Sequence, residues 1–328
     1  MKTFTNVNAR SLSEAVSILK QARQDHRSVA VAGGGSDLLG MMKERLIAPD
    51  VLVRLAAIKN LDVVRVTIPG ATIGGQMTLA ALAANALIRT EFAVLAEAAE
   101  SVATPQIRNV ATLAGNLCQR PWCWYYRNGF KCLKNGGTTC YSVTGENEFH
   151  AIFGGGPSYI VHPSDTAPAL VALDASFRIV GPSGERRVPA GEFFTLPTVN
   201  SARENVLTDG EMLAEIILPS RGSASVRSTY HKILDREAWT HAVVSAAVVI
   251  EMDKDVCRRA RIVLGGVAPI PWRLPDVEAM LTGQRVTPEL AAKAGEAAVR
   301  GARPLAKNGY KVPRVRAMVA RTLTGLVA

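Results

Sequence analysis

The hydrophobic pattern divides the chain into stretches of different rhythm. Leu12, Ala15, Val16 and Leu19 recur at the spacing of one helix face, and Ser11 with Glu14 three residues on forms a capping-box signature. Short apolar runs at Ser28 to Ala32 and Val51 to Leu55 read as strands, the second after a Pro49-Asp50 turn, so the first unit is β-α-β in character. From Leu61 the pattern predicts strands at Val63 to Val66 and Ala71 to Ile73, split by Pro69-Gly70. Thr78 then caps a helix over Leu79 to Ile88, and a second helical pattern runs from Phe92 to Val102. Periodicity vanishes over Cys118 to Gly156 and returns with Tyr159 to Val161, a helix over Asp165 to Leu173 and a strand over Ser176 to Val180. The last region places strands at Ser228 to Leu234, Ala242 to Glu251 and Arg261 to Val267 ahead of three Ala-rich helices. Strands followed by helices predict an α+β unit.

Composition narrows the function classes. A 48% hydrophobic chain of 328 residues has material for several cores and is not a disordered chain. Its longest apolar run, Ala242 to Ile250, is far short of the roughly 20 residues of a membrane helix, which predicts no membrane span. Met1 to Phe4 opens no apolar signal core, so a cytoplasmic location is expected, with export only alongside a signal-bearing partner. The net charge of +10 raises nucleic acid as a partner. The basic residues are mostly spaced singly, however, and no recognition motif accompanies them, so nucleic acid is not expected. The acid-free basic stretch from Arg300 is interleaved with Val312, Val315, Met318, Val319 and Leu323, as in an amphipathic helix starting about Pro313. It reads first as a solvated face and second as a docking surface for an acidic partner.

Four of the five cysteines fall in the aperiodic stretch, spaced Cys118-x4-Cys123-x8-Cys132-x7-Cys140, and Cys257 stands alone as a structural or surface thiol. Zinc sites usually supply tight CxxC pairs, and none occurs here. Thiolates among glycines and aromatics suit an iron–sulfur cluster, and Arg120, Arg127, Lys131 and Lys134 would offset its negative charge. Zinc and unligated thiols stay open as alternatives. Asp235-Arg236-Glu237 reads as a solvated turn, and none of the five histidines has metal-ligand spacing.

Gly33-Gly34-Gly35-Ser36 joins a strand to a helix, where successive backbone N–H groups can converge on an anion. Ile73-Gly74-Gly75, Ala111 to Asn116 and His162-Pro163-Ser164-Asp165 are further small-residue or polar corners that could wrap one extended dinucleotide. In combination, Ala32 to Leu39, Thr104 to Asn116, His162 to Asp174, Tyr230-His231-Lys232 and Val263 to Pro269 resemble the FAD-binding medium subunit of the molybdenum hydroxylases. This is the xanthine dehydrogenase and aldehyde oxidoreductase family. The stretches Cys123 to Arg127, Cys132 to Cys140 and Gly145 to Ile152 resemble an inserted [4Fe–4S] loop carried by a subset of it, the periplasmic aldehyde oxidoreductases and 4-hydroxybenzoyl-CoA reductases. Here the stretch Gly156 to Tyr159 lacks the further cysteine that relatives often have, which makes Cys118 the natural fourth ligand beside Cys123, Cys132 and Cys140.

The resemblance implies an α+β fold: a two-part FAD-binding domain of the vanillyl-alcohol-oxidase (PCMH) type over 1–57 and 58–222, with the iron–sulfur insert at 117–157, then a small α+β domain over 223–328. It implies non-covalent FAD, with backbone N–H groups of Ala32, Gly33, Gly34, Gly35 and Ser36 on the pyrophosphate and Thr112 and Asp165 on ribityl or phosphate oxygens. Gly115 and Asn116 would line the cofactor channel, and Lys232 would lie near the flavin. Val31, Asp37, Leu38, Ile73, Gly74, Thr104, Ile107, Arg108, Asn109, Ala111, His162, Ser164 and Ile217 complete the implied FAD contacts. The implied function is electron transfer from a molybdenum-cofactor large subunit and a [2Fe–2S] small subunit, through FAD here, to an external acceptor such as ferredoxin. No catalytic acid–base pair is evident in the chain itself. The rivals are a self-contained flavoenzyme and a zinc-stabilised assembly subunit.

Overall fold

The computed structural model describes residues 1–67, 70–220, 225–236 and 240–327. Pro69 of the expected turn, Glu237 and the expected boundary at 222/223 fall outside them.

The first unit is a parallel three-stranded sheet of order β1-β3-β2, with β1 at Thr5–Asn8, β2 at Val29–Ala32 and β3 at Val51–Arg54. The helix Leu12–Gln24 crosses between β1 and β2. Ser11 Oγ accepts the Glu14 N–H at 3.0 Å, while the Glu14 carboxylate accepts the N–H of Arg10, one residue earlier than a standard capping box. Ala15, Leu19 and Ala22 face Val51 and Val53 across a small apolar core.

The second unit is an antiparallel sheet of order β4-β5-β8-β6-β7: β4 Val64–Thr67, β5 Gly70–Gly74, β6 Ser176–Gly181, β7 Gly184–Pro189 and β8 Met212–Leu218. The central strand β8 is a finding of the fold, since its run of apolar residues has no clean alternation. It is sandwiched where Ile216 pairs with both Ile73 and Phe177. The single helix expected over Leu79 to Ile88 is two, because the Asn85 side chain accepts the Ile88 N–H and starts a new helix, Ala86–Glu91. The helices Ala93–Glu100 and Thr166–Ala172 fill the main core against this sheet.

The third unit is an antiparallel sheet of order β12-β11-β10-β9: β9 Ser225–Ile233, β10 Val244–Asp253, β11 Val256–Gly265 and β12 Trp272–Arg273. β11 begins five residues before the apolar run at Arg261, because the tight turn at Lys254 (φ 54°) sends the charged segment Arg258–Arg259 back along β10. The helices Pro275–Leu281, Pro288–Ala297 and Lys311–Val327 cover the sheet. The last begins two residues before Pro313 and lays Val315, Met318, Val319 and Leu323 on the sheet, with its arginines outward. The first unit is a parallel β-α-β layer, whereas the second and third pack helices against antiparallel sheets, so the whole is a mixed fold of α and β.

Residues 118–156 build no large core of their own, and Ile152 and Phe153 at their end join the core of the third unit. The stretch contains one short helix, Trp124–Arg127, and two single 3-10 turns. Cys132 and Tyr126 pack on Met41 in a minor cluster with Cys123 and Leu38. Ion pairs anchor the rest: Arg127 to Asp37 at 2.6 Å, and both Arg120 and Lys134 to Glu204 at 2.6 and 2.7 Å. Three of the four cations expected to offset a cluster's charge therefore already have carboxylate partners from other parts of the chain. Asn308 and Lys311 grip the other end through the carbonyls of Phe149, His150 and Ala151.

Candidate functional site

The corners singled out in the sequence meet. The triple-glycine turn lies against residues 110–112 so closely that a Cβ on Gly34 would sit 1.7 Å from the Val110 carbonyl oxygen, and one on Gly33 2.5 Å from Thr112 Oγ1. Gly35 has φ 75°, which glycine alone adopts without strain. Thr112 caps the short helix Leu113–Leu117 by accepting the Gly115 N–H. Asn116, from that helix, accepts hydrogen bonds from Ser164 Oγ at 2.6 Å and Thr166 Oγ1 at 2.7 Å, tying the third corner to the fourth.

Next to Ser164, the Asp165 carboxylate receives Lys232 Nζ at 2.7 Å and the Tyr230 hydroxyl at 2.6 Å. Asp165 and Lys232 side chains are each 4% exposed, so β9 of the third unit is joined to the second unit through a buried charge pair. Burial and the neighbouring carboxylate push the Tyr230 hydroxyl well above the ordinary tyrosine range, so it stays a donor.

Two cavities flank the glycine turn. One, of about 480 Å³, is lined by Ser36, Asp37, Ile107, Ala111, Gly115, Asn116, His162, Ser164 and Asp165. The other, of about 720 Å³, is lined by Val31, Gly33, Gln76 and Gly115 together with Arg23 and Arg27. Gly115 borders both, so an extended ligand with two bulky ends could straddle the turn. His162 is buried on the first wall, where burial pulls its imidazole down to about 3, and its Nε2 has no partner among the described residues. An orphaned buried nitrogen, a cradle closed to side chains and a flanking pair of cavities fit FAD.

Several other expected contacts line neither cavity. Gly74 packs on the Leu61 backbone, and Ile217 pairs with Thr72 and Ser176 inside the sheet. Thr104 caps its own helix, Arg108 donates to the Val102 carbonyl, and Asn109 C-caps that helix. Leu38 joins the minor core beside the cysteines. Lys232 reaches the site through Asp165. His231 bonds Thr322 at the far side of β9.

Conversely, the first cavity is also lined by Asp235 and Arg236, which read as a solvated turn in sequence, and by Trp122, Phe149 and His241. Trp122 and His241 rings stand 5.4 Å apart, and the Arg127 guanidinium lies 4.2 Å over the Trp122 ring. Only the unusual aromatic density around Cys123 hinted at these.

The cysteines separate into two groups. Cys123, Cys132 and Cys140 lie near enough for the latter two to act on the Cys123 thiol, which burial pushes up and the backbone N–H groups of Tyr126 and Tyr125 pull back. Cys123 also lines the first cavity, with its Sγ 3.4 Å from His150 Nε2. Cys118 caps the helix Leu113–Leu117 and lines the second cavity, its thiol pushed up to about 12 by burial. Cys257 is buried in the third unit's core. Among the described residues, no three His, Cys, Asp or Glu side chains converge on one point as a single ion requires. Cys132 is buried, and Cys123 and Cys140 are partly exposed.

The site is thus a dinucleotide-shaped cradle of glycine turns beside a cysteine loop, and sequence comparison gives its class. Residues 2–221 match the FAD binding domain in molybdopterin dehydrogenase, and residues 229–326 match the CO dehydrogenase flavoprotein C-terminal domain. The chain belongs to this family, the FAD-binding oxidoreductase subunits of molybdopterin dehydrogenases.

Among individual relatives, it is 32% identical over 335 residues to the aldehyde oxidoreductase FAD-binding subunit PaoB of Escherichia coli K12, covering 100% of this chain and 98% of that one. It is 28% identical to the carbon monoxide dehydrogenase medium chain of Hydrogenophaga pseudoflava, covering 96% and 93%. The solved structure of carbon monoxide dehydrogenase from that organism superposes with a TM-score of 0.76 at 26% identity, covering 98% of this chain and 96% of that one. Among the described residues no helix is long and apolar enough to cross a membrane.

Proposed function

We propose that this chain is the electron-transfer subunit of a multi-subunit molybdenum hydroxylase acting on an aldehyde or N-heterocycle. In this reading it holds FAD in the two-lobed cradle and a [4Fe–4S] cluster on Cys123, Cys132 and Cys140, and it carries electrons from a molybdenum large subunit and a [2Fe–2S] small subunit to an external carrier such as ferredoxin. Cys118, on the wall of the other cavity, is left out of the ligand set. FAD supplies the interconversion of one-electron and two-electron transfers.

The chain's own residues do the holding. The N–H groups of the glycine turn face a pyrophosphate, in a pocket where any side chain on Gly33 or Gly34 would collide. Asn116, Ser164 and Thr166 lock the corner behind the flavin, and the hydrogen bond from Lys232 orients the Asp165 carboxylate at its wall. Trp122, Trp124 and Phe149 form the exposed aromatic rim of the cavity.

The observation that carries the reading is that Cys123 lines the same 480 Å³ cavity as Ser36, Gly115, Asn116 and Asp165. A cluster on Cys123 would stand beside the flavin with no intervening domain to cross. The purified chain tests it. Flavin bands together with broad absorption near about 400 nm that bleaches with dithionite are expected. Colourless, zinc-containing protein would refute the cluster, and aldehyde turnover by the isolated chain would refute the electron-transfer role. Cys132→Ser is expected to lose iron and Cys118→Ser to keep it.

A further inference from the structure

His150 occupies the junction between the cysteine trio and the flavin cavity, and it lines that cavity beside Cys123. Its Nε2 stands 3.4 Å from Cys123 Sγ, a hydrogen-bonding distance for sulfur and too short for the two atoms to serve separate irons of one cube. Its other ring nitrogen, Nδ1, is buried and has no partner among the described residues. A buried N–H left unpaired is rarer and costlier than a bare nitrogen left unpaired, so the single proton of the neutral ring belongs on Nε2, facing the sulfur.

The backbone of His150 is also held, in part from outside the loop. The His150 carbonyl accepts Asn308 Nδ2 at 3.0 Å and Lys311 Nζ at 3.1 Å, and its own N–H donates to the Asn147 carbonyl at 3.0 Å. Asn308 and Lys311 belong to the third unit, and Asn147 accepts the Lys307 N–H at 2.8 Å from the same side. The main chain that carries the imidazole is therefore fixed by contacts between the third unit and the loop.

We propose that His150 is a positioning residue that donates an Nε2–H···Sγ hydrogen bond to Cys123 and so raises the reduction potential of the cluster. This rests on the cluster assignment above. A donor on a ligating thiolate draws charge from the sulfur and stabilises the more negative, reduced state, which is one of the protein's principal means of setting such potentials.

The test compares the purified full chain with His150→Leu, which removes the donor, and His150→Gln, which restores an N–H at similar reach. Flavin and iron per chain are measured first, then the cluster's midpoint by redox titration followed by EPR. The expected result is unchanged iron and flavin in both variants, a more negative cluster midpoint in His150→Leu, and a return toward the wild-type value in His150→Gln. A His150→Leu midpoint equal to wild type overturns the proposal while the cluster stands. Iron loss in both variants also overturns it, since His150 would then be needed to retain the metal. Wild-type chain without iron overturns the cluster reading and this proposal with it.

Discussion

Replacing Lys232 with methionine isolates the buried charge pair that joins the flavin cradle to the third unit. The ammonium donates to Asp165 Oδ2 at 2.7 Å and to the Ser101 carbonyl at 3.0 Å, so one side chain on β9 ties together the corner at 162–165 and the end of the helix Ala93–Glu100. Methionine fills nearly the same volume, and a volume-conserving exchange by itself costs less than about 1.5 kcal/mol. It leaves Asp165, 4% exposed, with the Tyr230 hydroxyl as its charge-stabilising side-chain partner. Stripping one member from a buried pair costs about 3–5 kcal/mol, because the remaining charge is neither solvated nor paired. Asp165→Asn in the same background removes that stranded charge and should recover part of the loss, a coupling of about 1–3 kcal/mol. Urea unfolding followed by circular dichroism measures both, through the midpoint at constant slope. Flavin content reads the local effect, and it should fall in Lys232→Met. A loss below about 1 kcal/mol, or a double variant no more stable than Lys232→Met, would refute the reasoning.

Gly34→Ala places a Cβ 1.7 Å from the Val110 carbonyl oxygen, so the turn must open; flavin content should drop sharply, with an overpacking cost of about 1–3 kcal/mol seen in thermal unfolding. Glu204→Leu leaves Lys134 and Arg120 without their shared carboxylate and should cost about 3–5 kcal/mol, with limited proteolysis cutting selectively within 118–156. Burial pulls the Lys311 ammonium down to about 7 from 10.5. The folded state then binds fewer protons than the unfolded state between those values, so stability should rise with pH from about 7 to 10.5 and be flat below; Lys311→Met should abolish that rise in denaturation midpoints measured across the range.

Much of the cradle was legible in the chain because its parts are local. Ser11 and Thr78 cap helices through bonds three residues long, as their spacing predicts, while Thr104 and Thr112, read as cofactor contacts, cap helices in the same way; Gly35 has a positive φ. Such features depend on sterics and hydrogen bonds within one turn of backbone. The helix expected over Leu79 to Ile88 broke at Asn85 for an equally local reason, a second cap whose side chain competes with the continuing helix. Asp235 and Arg236 carried no periodic signal, and the exposed character of their sequence pointed away from the cavity wall they form.

The glycine turns, the caps at Ser11 and Thr78, the strand-then-helix order of the third unit and the crowding of four cysteines into one stretch can all be read along the chain. Each follows from chemistry between near neighbours. Which cavity each cysteine faces follows only from the packed fold, with Cys123 on the wall of the first and Cys118 on the wall of the second. The tertiary structure alone matched Lys134 with Glu204, 70 positions away, and Lys232 with Asp165, 67 away. A buried charge can find its partner anywhere in the chain, and only the packed fold, which excludes water from both, selects the one that compensates it.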